Sequence, residues 1–435
     1  MEYLLILILI LAFLVPQPIL AQQARSETED SSGKTGEPVY PEKVRSRAAW
    51  EYIVNIPGYV LYFPFFLVYS AAAPLIGWVD KSNIVPQVND FLTSDDGKRR
   101  AVPIFETQYG AGLGYRHKDL LKPGCELSIT GMVGLWWKRY LALEINGFRL
   151  VGPLDLGLGA HSLLLSDAAF YGLGNGSSKN DRTNFAHRQP AVWASLGIYS
   201  GKKLNTGLIF RYEQNSISEG QNPNYPSTTD WTGSTGEQLP GLSEKVDLLA
   251  LEFNLNHFSL FQRQKSAGGW AVDIKAGVYN QQHEDTYNFY KGLLDVKRYF
   301  HLFYGRTLSF RFAAEITRPF KDGEIPFYYL SRLGQRKTIR GYFRDRFRDR
   351  DSMLFSVEYR YPLIKRPAQL PSLDALLFID SGKVYHDVFA EDFFRGFHTS
   401  FGGGFRIYNR KGMDLEFYLA KSKDGFRFYL VWNEF

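Results

Sequence analysis

The sequence predicts an all-β transmembrane fold: an antiparallel outer-membrane β-barrel of about 16 strands, with a short N-terminal helical segment on the periplasmic side. Three observations carry this. The first is a mean hydropathy of −0.24 combined with 34 Phe and 27 Tyr. Strands with one face toward lipid and one toward a polar lumen, flanked by aromatic girdles, produce that mixture. The second is period-two alternation of apolar residues from Ala101 to Phe435. The third is that the connections between these runs alternate between long and short.

From the N-terminus, residues 4–15, "LLILILILAFLV", are a twelve-residue apolar run. Pro16, Pro18 and a cleavage point after Ala21 follow it, so residues 1–21 read as a secretory signal peptide. Its flank is atypical, with Glu2 its only charged side chain, and an uncleaved anchor is the alternative reading. Residues 22–42 are polar and lack apolar periodicity, which makes them a flexible exported linker. Residues 43–100 contain the uncharged stretch Ile56 to Val79, long enough to span a bilayer but interrupted by Pro57, Pro64 and Pro74. Its spread aromatics favour a segment lying at the periplasmic interface or against the lumen mouth over a straight span.

Residues 101–435 form the barrel. Runs such as "YLALEINGF", "DLLALEFNLNHF", "LSFRFAAEI", "MLFSVEYRYPL" and "GFRFYLVW" have about the length of a tilted membrane-crossing strand. "ELSITGMVGLWW" is expected as one uninterrupted strand. An even count suits closure, which leaves no unpaired edge in lipid. Counted from a periplasmic N-terminus, the long connections near 170–184, 216–244, 284–290 and 319–351 fall on one side, with only a somewhat longer Ile364 to Ser372 connection on the other, as outer-membrane barrels require. Pro103 in the first strand suits an edge position.

The long connection at 319–351 carries the most specific pattern. "EIPFYYLSRLGQRKTIRGYFRDRF" followed by "MLFSVEYRYPL" resembles the sixth-loop motif of the BamA/TamA family of outer-membrane assembly barrels, the bacterial surface-antigen superfamily. "LLFIDSGKVY", "GGGFRI", "FYGLGNGS" and the terminal Phe435 are similar to further pieces of that family. The resemblance implies that the sixth loop folds back into the lumen through Ile339, Arg340, Gly341 and Tyr342. Arg340 would then pair with Asp380, beside Gly382, and with Glu358 on the inner wall. It also implies that Phe435 is read as an assembly signal. A guanidinium fork suits two carboxylates, and Gly341 is expected to permit a sharp turn beside it. The other charges of the loop, Arg336, Lys337, Arg344, Arg346, Arg348 and Arg350 with Asp345, Asp349 and Asp351, read as a solvated surface, with contact to anionic lipopolysaccharide as the alternative.

The residues between signal and barrel show no pattern of the periplasmic substrate-receiving modules common in that family. The function implied is non-enzymatic help with inserting or translocating proteins, or lipids, at the outer membrane of a Gram-negative bacterium. A passive channel plugged by the sixth loop is the alternative. Expected partners are outer-membrane lipid and lipopolysaccharide, a client protein or lipid, and a periplasmic or assembly partner. No cofactor is expected. The eight histidines lie outside any nucleophile or metal-ligand pattern, and single Cys125 excludes an internal disulfide framework. A net charge of +6 over 435 residues does not suit nucleic acid.

Overall fold

The computed structural model describes residues 90–106, 108–200, 204–231, 238–259, 268–302, 305–364, 372–408 and 414–432. The signal peptide at 1–21, the linker at 22–42, most of the segment at 43–100, and Phe435 lie outside the described residues. Among the described residues no helix is long and apolar enough to cross a membrane.

Among the described residues eighteen strands follow one another in chain order. They begin with β1 (Arg99–Glu106), β2 (Gly110–Lys118), β3 (Glu126–Val133), β4 (Arg139–Val151), β5 (Leu154–Phe170) and β6 (Thr183–Ser200). Next come β7 (Leu204–Glu219), β8 (Val246–Phe258), β9 (Gly269–Gln281), β10 (Phe289–His301) and β11 (Thr307–Pro319). A long connection then carries the short hairpin β12 (Ser331–Leu333) and β13 (Phe347–Asp349). The chain ends with β14 (Asp351–Ile364), β15 (Ser372–Tyr385), β16 (His398–Tyr408), β17 (Asp414–Ser422) and β18 (Gly425–Trp432).

All but β12 and β13 join one 16-stranded sheet in which sequence neighbours pair antiparallel. β14 and β15 are thus the twelfth and thirteenth strands of the wall. Alternation sorts the two faces. Phe426, Phe428 and Leu430 of β18 point outward and are exposed, as are Leu113, Leu141, Val192, Phe210, Leu251 and Phe401 on other strands. In a bilayer this outer surface meets lipid tails. The inward face carries ion pairs beside the apolar clusters described below: Arg311 makes a bidentate pair with Asp295, and Lys291 pairs with Glu315 at 2.8 Å.

Two expectations change. The even strand count suggested closure, but no ladder joins β1 to β18 among the described residues, and the strand order has two ends. Both flanks are short, at eight residues each, and Pro103 of β1 has no amide hydrogen to donate. The segment "ELSITGMVGLWW" is not one strand either. β3 stops at Val133, and Leu135–Trp137 form a tight turn with left-handed backbone at Trp136 (φ 59°) and Trp137 (φ 61°). The turn is closed by the Gly134 amide donating to the Lys138 carbonyl at 2.9 Å.

The glycines of β16 create room on the inner wall. A Cβ at Gly402 would lie 2.1 Å from the Leu419 carbonyl and 2.6 Å from the Phe378 ring. Phe378 in turn joins Leu376, Tyr418, Ala420 and Val431 in a buried cluster. We expect Gly402→Val to lower the temperature at which the compact form is lost on heat-modifiability gels, at a cost of about 1–3 kcal/mol for overpacking. Gly292→Ala, where nothing lies within 4 Å, should leave it unchanged.

Candidate functional site

The connection from 320 to 350, called loop 6 below, is apolar at its start and basic beyond it. Ile325, Phe327, Tyr328 and Leu330 are buried with Phe170, Phe185, Leu248, Tyr279 and Phe289, residues of β5, β6, β8, β9 and β10. Farther along, Leu333, Ile339, Tyr342 and Phe347 are buried with Leu354 of β14 and Val384 of β15. One loop therefore touches two distant parts of the inner wall, and the sheet curls around it.

Arg340 lies at the second of these contacts. Its Nε donates to Asp380 Oδ2 at 2.8 Å and its Nη2 to Asp380 Oδ1 at 2.7 Å, a bidentate fork. The backbone amide of Arg340 also donates to Asp380 Oδ2, at 3.1 Å. Its Nη1 donates to Glu358 Oε2 at 2.7 Å. The register explains the reach: Ser356 of β14 pairs with Asp380 of β15, and two residues along β14 Glu358 faces the same way. Asp380 is fully buried. The guanidinium stacks on the Phe378 ring at 3.5 Å. Burial alone would discourage the charge on Arg340, but the two carboxylates and their hydrogen bonds outweigh it and hold the group above the usual arginine range.

Glycine at 341 has a different reason from the one expected. Its backbone is not left-handed. Instead, a Cβ there would lie 2.6 Å from Ser400 Cβ and 2.7 Å from Ser422 Cβ, so the residue permits close approach to β16 and β17. Gly382 plays the matching part on the wall, since a Cβ there would sit 3.0 Å from Ile339 and 3.1 Å from Leu333. Tyr342 stands edge-on to Phe347 and His398 at 5.1 and 5.6 Å.

Several participants were not singled out from sequence. Glu358 is shared: its Oε1 accepts from Arg360 Nε at 2.6 Å, and Arg360 reaches Glu416 of β17 at 3.5 Å. Arg406 of β16 approaches the same carboxylate at 3.7 Å. Tyr429 of β18 donates its hydroxyl to the Arg340 carbonyl at 2.9 Å, and Ser422 donates to the Gly341 carbonyl at 2.6 Å. Strand parity could have found Arg360 and Glu416, because charges within apolar strands must face the lumen. Nothing local in the sequence marks Tyr429 or Ser422.

The solvated reading fails for three of the remaining loop charges, while Lys337 is exposed. Arg346, Arg348 and Asp351 are buried at 4%, 1% and 1% exposure. Asp351 accepts from Arg318 and from the amides of Thr317 and Val388. Arg348 lies among the rings of Phe170, Phe185 and Phe327 and donates from Nη1 to the Phe327 carbonyl at 3.1 Å. Burial pushes its guanidinium down, to about 9, the opposite of Arg340. The difference is the carboxylate fork, which Arg348 lacks.

Comparison with known proteins bears on the family and the fold. The profile of the Omp85 superfamily domain matches residues 162–419. Among solved structures, BamA from Haemophilus ducreyi lacking POTRA domains 1–3 matches with a TM-score of 0.55 and 14% identity, over 77% of this chain and 69% of that one. CdiB from Escherichia coli matches with a TM-score of 0.47 and 11% identity, over 77% of this chain and 60% of that one. Among curated proteins, none matches by sequence. The chain belongs to the Omp85 superfamily of β-barrel proteins of the Gram-negative outer membrane.

Proposed function

We propose that this chain is a non-enzymatic barrel that assists insertion or translocation of client proteins, or lipids, at the outer membrane. In this reading Ile339, Arg340, Gly341 and Tyr342 lock loop 6 inside the lumen against Glu358, Asp380 and Gly382. The β1 and β18 flanks, which no ladder joins among the described residues, are the seam through which a client passes sideways. The observation that carries the reading is the Arg340 fork on Asp380 and Glu358, a buried charge arrangement linking an outward loop to the wall. Superfamily membership supports insertion or translocation at the general level. Phe435 is proposed as the residue read by assembly machinery. Lipopolysaccharide, a client and a periplasmic partner are the proposed associates.

The lock gives a mutational expectation. Removing one member of a buried pair leaves an uncompensated charge and costs about 3–5 kcal/mol. Arg340→Ala should therefore make loop 6 cleavable by added protease on intact cells and lower the heat-modifiability midpoint. Arg348→Met removes a buried charge without orphaning a carboxylate, and should leave the midpoint equal or higher. Equal losses in the two variants would overturn the lock.

The seam is tested by cysteine pairs placed along β1 and β18 in a Cys125→Ala background. Oxidation should abolish client insertion and reduction should restore it; full activity in the locked barrel would exclude lateral passage. Loop 6 contacts two parts of the inner wall, which also fits a plugged passive channel. Single-channel recordings decide between the two. Deleting residues 334–351 should raise conductance severalfold if the loop is only a plug, with client assembly unaffected, whereas the assembly reading expects loss of client insertion.

A further inference from the structure

Loop 6 has a second charged grip, away from the Arg340 fork. Arg346 is nearly fully buried and each of its guanidinium nitrogens has a partner. Nε donates to Asp424 Oδ2 at 2.8 Å, Nη1 to Ser177 Oγ at 2.8 Å, and Nη2 to the Ser177 carbonyl at 2.7 Å. Its flat faces lie against Tyr171 and Phe347, at 5.2 and 4.6 Å. Asp424 sits in the turn between β17 and β18, and Ser177 in the connection between β5 and β6, the "FYGLGNGS" motif. One side chain thus joins three connections on the outward end of the barrel.

Neighbouring contacts repeat the pattern. The Gly174 amide donates to the Arg348 carbonyl at 2.8 Å, which continues the β5–β6 connection onto loop 6. The Asp424 amide donates to Ser422 Oγ at 3.1 Å, and that hydroxyl donates to the Gly341 carbonyl. Arg427 of β18 stacks on Phe343 of the loop at 3.3 Å. Residues 340–346 therefore hold the β17–β18 hairpin at Gly341, Phe343 and Arg346 on top of the Tyr429 contact.

We propose that Arg346 is a positioning residue. Through Asp424 and Ser177 it ties the terminal hairpin and the β5–β6 connection to loop 6, so that these three segments move as one body. The tie is separate from the Arg340 fork, which holds the loop to β14 and β15. It does not depend on whether the seam opens.

Amide hydrogen exchange on the folded full-length protein in lipid nanodiscs tests this by region. Arg346→Ala should speed exchange at least about tenfold, the effect of one lost charge-assisted hydrogen bond. The change should appear in the β17–β18 turn and in residues 171–182, with β14 and β15 unchanged. Asp424→Asn, which leaves Arg346 on Ser177, should speed exchange in the turn alone. Arg346→Lys should restore the turn, because one ammonium can reach Asp424, but not residues 171–182, which need the fork. Unchanged exchange in both regions, or a uniform rise across every strand, would overturn the proposal. Should Arg346→Ala fail to fold, the region-selective effect of Asp424→Asn is the deciding measurement. The seam reading is judged separately by the β1–β18 cross-links.

Discussion

Two carboxylates sharing one guanidinium organise the interior of this protein. A buried Asp380 would be costly by itself, and a buried Arg340 equally so. Together they form a bidentate pair with a third hydrogen bond to Glu358, and each becomes tolerable only when the other is present. Loop 6 supplies the cation and the wall supplies the anions, so burial of the loop and integrity of the β14–β15 wall are a single condition. The apolar residues lie alongside: Ile339 and Leu333 fill the space above Gly382, and Tyr342 is buried in the same cluster.

The rest of the inner wall extends that arrangement. Glu358 also accepts from Arg360, which approaches Glu416, which is approached by Arg406. Charge of alternating sign runs from the loop across β14, β17 and β16. Each group is partly neutralised by the next, which lets a sheet with an apolar outer face carry charge on its inner one. Arg348 shows the other solution, a cation resting on aromatic faces with one carbonyl acceptor.

Much of the wall was legible from period two, because each strand must present alternate residues to lipid and lumen. The pairing of Arg340 with Asp380 and Glu358 was named through the resemblance of the surrounding pattern, and parity puts both acids on the inner face. The fate of the neighbouring charges was not legible. Arg346 reaches Ser177 across 169 residues and Asp424 across 78, and a run of mixed charge looks the same whether its partners are water or distant side chains. Gly341 was read as a turn residue because glycine most often serves that purpose; here the constraint comes from β16 and β17, which no local window contains. The end of β3 at Val133 and the absence of a β1–β18 ladder among the described residues depend on hairpin geometry and on edge pairing, neither of which alternation encodes.

The strands differ greatly in length. β5, β6 and β7 run for 17, 18 and 16 residues, while β1, β2 and β3 have 8, 9 and 8, and β17 and β18 have 9 and 8. At about 3.3 Å per residue, an eight-residue strand standing upright reaches roughly 26 Å, and less when tilted. At the tilt of about 35–45° usual for such strands it covers roughly 19–22 Å, less than the apolar band of about 25 Å that outer-membrane barrels present. The tall flank has no such deficit. Lipids around this sheet therefore meet a rim of uneven height, and acyl chains beside its two ends must shorten, splay or tilt to stay covered. The bilayer is put under stress on the side of the molecule that holds the two ends of the sheet.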